Sequence, residues 1–155
     1  MATESKLSLN EDTIAAINDL AQVNIDSRDG FRHAAGEIKE VAISSMFMQM
    51  ADEREHQAQE LKSLVALNGE QPKSDGSFAA SAHRTWMDLR KALGGGLQSV
   101  LDEAERGEDV IKGKYEEAMK KNAGSAASDV LHRHYSAVKA AHDRVRDMRD
   151  AHRDE

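Results

Sequence analysis

The chain has 155 residues, with 28 Asp plus Glu against 21 Lys plus Arg, for a formal net charge of −7. That length makes a single domain, residues 1–155, burying about two-thirds of its unfolded surface. One proline, 4% aromatic residues and no cysteine disfavour a β-sheet, suit long helices, and exclude disulfides, thiolate metal sites and cysteine nucleophiles.

Net acidity argues against nucleic acid as a partner, because neutralising phosphates takes a basic face. No apolar run approaches the roughly 18–20 residues of a membrane span, and the start MATESKLSLN lacks a signal-peptide core. The expectation is a cytoplasmic protein without a membrane partner.

Residues 1–9 are expected to be a flexible arm. Ser8 and Glu11 are spaced as a capping box, and Ile14, Ile17, Ala21, Ile25, Phe31, Ala35 and Ile38 then recur at helical spacing. Gly30 and Gly36 weaken this helix without ending it. A second helix is predicted over about 41–67, with Ile43, Phe47, Met50, Ala51, Ala58, Leu61 and Val65 on one face. Asn68 and Gly69 suit its C-terminal cap, and residues 69–76, holding Pro72, form a loop.

A shorter helix follows over about 77–93, with Ala82, Trp86, Leu89 and Leu93 in phase, until Gly94, Gly95 and Gly96 break the chain. The helix over about 97–121 turns Val100, Leu101, Ala104, Ile111, Tyr115 and Ala118 inward. After a turn at 122–125, the last helix, about 128–151, aligns Leu131, Val138, Val145 and Met148. Four helices of about 25 residues, each about 37 Å long, make an all-α antiparallel four-helix bundle the natural solution. The 77–93 helix is then an accessory element between the second and third bundle helices.

Bundles hold cofactors in their core, so the informative residues are polar ones at apolar phase. Counting about 100° per residue, Asn24 and Arg28 fall on the first stripe, Arg54 and Gln57 on or beside the second, and Glu108 beside Tyr115 on the third. His142 lies near the edge of the last stripe. Two readings compete for this layer. One is a buried ion pair, Glu108 with Arg54 or Arg28, completed by Asn24, Gln57 and His142, since an unpaired buried charge costs several kcal/mol. The other is a metal or substrate site. Glu53 and His56 have the Glu-x-x-His spacing of di-iron bundles, but the same count turns both toward solvent. His132 and His134 read as exposed, and the alternating charges of DRVRDMRDAHRDE read as a solvated helix face.

The runs NIDSRDGF (24–31), HRTWMDL (83–89), EAERGED (103–109) and AAHDR (140–144) resemble an uncharacterised bacterial family of ferritin-like four-helix-bundle proteins with a domain of unknown function. The similarity extends from about Thr13 to Arg149 and implies a ferritin-like fold. Ferritins and rubrerythrins carry a ligand Glu seven residues before an aromatic on the first and third bundle helices. The third-helix pattern is matched by Glu108 and Tyr115, whereas the first reads Asn24 and Phe31. Their second-helix pattern Phe-x-x-x-Ala-x-x-Glu-x-x-His is matched by Phe47, Ala51, Arg54 and Gln57. On the last helix the matching positions are Val138 and Ala141, with His142 one step aside. The resemblance therefore implies a di-iron layer replaced by a Glu–Arg network, with no cofactor.

The leading expectation is a non-enzymatic bundle acting through self-association, first as a homodimer, or through a protein partner. The alternative is a di-iron oxidase or iron-handling protein whose ligands come from Glu108, His142, Glu53, His56, Glu37 and Glu105. A third idea is a small-molecule site beside Trp86.

Overall fold

The computed structural model describes residues 4–70 and 87–153. Its long helices are α1 (Glu11–Glu37), α2 (Val41–Leu67), α3 (Leu97–Lys121) and α4 (Ser128–Arg153). Residues 38–40 allow only a tight reversal, so α1 and α2 form one antiparallel hairpin, and residues 122–127 fold α3 and α4 into the other. Each hairpin is closely packed. The two meet along α1 against α3 and, more sparingly, α2 against α4, which leaves α2 and α3 diagonal across the bundle.

Local chemistry sets the helix ends. The Asn68 backbone N–H bonds back to Val65 and its side-chain amide to Leu64 O at 2.8 Å, and Gly69 takes the left-handed conformation (φ 74°). Gly96, at φ 96°, releases the chain into α3. Residues 87–92 are helical, and Leu89 packs against the bundle. Trp86, the rest of the predicted 77–93 helix and the loop over 71–76 lie outside the described residues.

Two expectations at the N-terminus need correcting. Ser8 does not cap α1: Asn10 stands at the cap without a side-chain bond, and Ser8 instead closes a tight turn with Ser5. Residues 4–9 are also tied down. Glu4 accepts hydrogen bonds from Asn10 N (2.8 Å), the Thr13 hydroxyl (2.9 Å) and Ala126 N (3.0 Å), linking the arm to the α3–α4 turn, while Leu9 is buried. Desolvation pushes the Glu4 carboxyl up, but these bonds outweigh it and hold it down to about 2.

The apolar core falls into two clusters. One gathers Ile17, Leu20, Leu61, Val65, Ile111, Leu131 and Val138 near the α3–α4 turn; the other gathers Phe31, Phe47, Met50, Leu101, Ala141 and Val145 near the α1–α2 turn. Phe31 and Phe47 stack at 5.0 Å, tilted 59°. Met46 is buried along with Met50, whereas Met48 is exposed.

Candidate functional site

Between the two apolar clusters, α1 supplies Asn24, α2 supplies Arg54 and Gln57, and α3 supplies Glu108. Asn24, Arg54 and Glu108 are fully enclosed and Gln57 nearly so, with enclosed Tyr115 two turns beyond Glu108. Each lies on its helix's inward stripe: Arg54 between Met50 and Leu61, Glu108 between Ala104 and Ile111. Because inward direction is set by helical phase, a polar residue in that register is carried inside whatever its chemistry.

Arg54 Nη2 donates to Glu108 Oε2 across the bundle diagonal, and both side chains are sealed from water. Burial pushes the Glu108 carboxyl above its ordinary range, and the Arg54 charge pulls it back. Arg54 Nε and Nη1, Glu108 Oε1, Gln57 Oε1 and Asn24 Oδ1 are buried without a hydrogen-bond partner among the described residues. The pair is thus compensated in charge but unfinished in hydrogen bonding.

A second branch leads outward. Asn24 Nδ2 donates to Leu20 O and to the Tyr115 hydroxyl, both at 2.8 Å. That hydroxyl lies 3.0 Å from His134 Nδ1, and His134 Nε2 lies 2.7 Å from Glu60 Oε1. The directions are mutually consistent: Tyr115 donates to Nδ1, and the Nε2–H donates to the carboxylate, which assigns one neutral tautomer. Burial lowers the His134 pKa and raises that of Tyr115, so both stay uncharged. Two bonds of 2.7 Å from Arg133, together with His134, hold the Glu60 carboxyl down to about 2. A surface cavity of about 370 Å³ between α2 and α4 reaches Gln57, Glu60 and His134.

The expectation that His134 is exposed needs correcting: it is buried, and its position between Leu131 and Val138, at +3 and −4 on one stripe, carried the signal. Arg28 needs the opposite correction. Its side chain is 22% exposed and pairs with Glu55 at 2.5 Å and Asp29 at 2.8 Å. Its long stem carries the guanidinium to the outer α1–α2 seam, away from Glu108.

His142 stands beside the layer rather than in it, half-buried next to buried Ala141. Of the alternative ligands, Glu37 and His56 are exposed and Glu53 pairs with Arg144 at 3.0 Å. Only Glu105 and His142 come together, joined by Asp109, whose role the sequence reading did not anticipate; their donor atoms lie within 4.8 Å of one another. The signal was present in the i, i+4 spacing of Glu105 and Asp109.

A di-iron layer of the ferritin and rubrerythrin kind would lie at this core layer, and the donors there do not fit two irons. Asn24 and Gln57 are neutral amides, and the Arg54 guanidinium, held on Glu108, brings a fixed positive charge where two dications would sit.

Comparison with known proteins agrees with this architecture. The bundle superposes on a Mycobacterium smegmatis Dps1 mutant with a TM-score of 0.77 at 17% identity, covering 92% of this chain and 96% of that one. At that identity the likeness is one of fold, and the fold is a ferritin-like four-helix bundle. No curated protein matches the sequence. The model of a domain of unknown function, DUF2383, matches residues 12–121, from the first turn of α1 to the end of α3. The chain belongs to the DUF2383 family.

Proposed function

We propose that this protein is a non-enzymatic ferritin-like bundle that works through its surface, as a homo-oligomer, with the Arg54–Glu108 layer serving to register the helices rather than to do chemistry. The observation that carries the reading is the sealed guanidinium–carboxylate pair across the α2–α3 diagonal. Pairing these two charges favours one register of α2 against α3, because a slip that separates them leaves buried charges without a partner. Self-association is supported by Val41 and Met48, both exposed and seven residues apart on the outer face of α2.

Two measurements test it. Light scattering behind size exclusion at high micromolar concentration should give a discrete multiple of the chain mass, reduced by Met48→Glu; a strict monomer overturns the surface reading. Metal analysis after anaerobic Fe(II) loading and desalting should leave the core layer without iron. Two irons per chain, lost in Glu108→Gln, would establish the oxidase alternative instead.

A further inference from the structure

We propose that Glu105, Asp109 and His142 form a site for one divalent first-row transition-metal ion on the α3–α4 face, outside the core layer. His142 Nε2 lies 2.9 Å from Asp109 Oδ1 and 3.8 Å from Glu105 Oε1. Ligand atoms bound at about 2.0–2.2 Å around one ion stand about 3–3.5 Å apart, so the three donors already bracket the required separation. Glu105 and Asp109, one turn apart on α3, present their carboxylates toward a single imidazole on α4.

The setting of the ring is the second observation. His142 Nδ1 hydrogen-bonds Asp143 Oδ1 at 3.1 Å. With the Nδ1–H given to that carboxylate, Nε2 is the ring atom left facing the other two, the arrangement that orients metal-bound histidines. Nε2 is buried and makes no hydrogen bond of acceptable geometry. Nε2 and two carboxylates so placed call for a cation between them, a metal ion or a ring proton.

The surroundings complete the site. Arg149 holds the other oxygen of Glu105, Oε2, which leaves Oε1 toward His142. Asp109 is 60% exposed, giving an ion a route in and room for water ligands. Neighbouring Glu108 keeps a fully buried oxygen without a hydrogen-bond partner among the described residues. One imidazole with two carboxylates suits Zn²⁺, Fe²⁺ or Mn²⁺; Ca²⁺ and Mg²⁺ prefer all-oxygen shells, and Cu(I) prefers sulfur.

The experiment uses the full chain, stripped with EDTA and dialysed, and titrated with Co²⁺ followed by visible absorption, then displaced by Zn²⁺. The expected result is one ion per chain, with affinity reduced at least about tenfold in both His142→Ala and Asp109→Asn and unchanged in His132→Ala, an exposed histidine elsewhere on α4. Circular dichroism checks that each variant is folded. In the wild type, NMR should show the His142 Nε2 resonance shifting on Zn²⁺ addition. Binding that survives both substitutions overturns the proposal, as does a His142 resonance indifferent to Zn²⁺, which would leave Nε2 protonated in a salt bridge to Asp109. The inference is independent of the core-layer reading: its ion is retained in Glu108→Gln, whereas irons at the core would be lost.

Discussion

Glu108 and Glu105 stand one turn apart on α3 and carry the same carboxylate into two different surroundings. Glu108 is sealed on the bundle axis with Arg54 as its counter-charge. Glu105 sits at the α3–α4 seam, partly wetted, between Arg149 and His142. Inside, desolvation makes a charge so costly that it must be permanently paired, and the pair becomes a structural lock. At the seam, water relieves that penalty, and a carboxylate can exchange one partner for another. A rotation of about 60° around α3, the net of three residues at 100° each, separates the two roles.

The strongest way to break this contrast is Arg54→Ala, which strands Glu108 as a bare buried charge. The expected loss is about 3–5 kcal/mol in urea denaturation; a change below about 0.5 kcal/mol would mean that Arg54 reaches water. Replacing both partners, Arg54→Met with Glu108→Leu, should recover most of that loss, because it removes the charge together with its counter-charge. Next comes Tyr115→Phe, which deprives Asn24 Nδ2 and His134 Nδ1 of their shared hydroxyl. About 1–3 kcal/mol is expected, the penalty for buried groups left unbonded.

The pH dependence sharpens the same point. Burial holds His134 below the ordinary imidazole value of about 6.5. Between its folded value and 6.5 the unfolded chain takes up a proton that the native state refuses, so stability falls as pH drops through that window. The limiting slope is about 1.4 kcal/mol per pH unit. His134→Gln should remove this slope while sparing the loss from Glu60, held at about 2, which sets in only at more acidic pH. A native stability that is flat between pH 7 and 5 would show that His134 accepts its proton without penalty. The smallest effect belongs to Glu105→Gln: less than about 1 kcal/mol in stability, as for an ion pair that water still reaches, beside a pronounced loss of Zn²⁺ affinity.

Much of this molecule is legible in residue order. The boundaries 41–67 and 97–121 follow from apolar periodicity between Asn-Gly and Gly-rich breaks, because helix propensity and capping are local properties. Asn24, Arg54, Gln57 and Glu108 could be placed inside by counting turns, since phase is conserved along a straight helix. The same count failed for Arg28, whose reach exceeds its phase, and for His134, whose neighbour His132 is exposed and suggested a surface pair. It also gave no hint of the Glu4 tether, which joins residues more than 120 positions apart.

The sequence by itself therefore determined that this is a bundle of four long helices with charged residues on core stripes. Each of those facts depends on contacts within a few residues of chain. Which charge meets which was decided only by tertiary structure: Arg54 with Glu108 across the diagonal, Arg28 with Glu55 at the seam, His134 with Tyr115 and Glu60, and His142 with Glu105 and Asp109. Helical phase gives each residue a direction about its own axis. The rotation and offset of one helix against another come from packing the two hairpins together, and no local pattern encodes them.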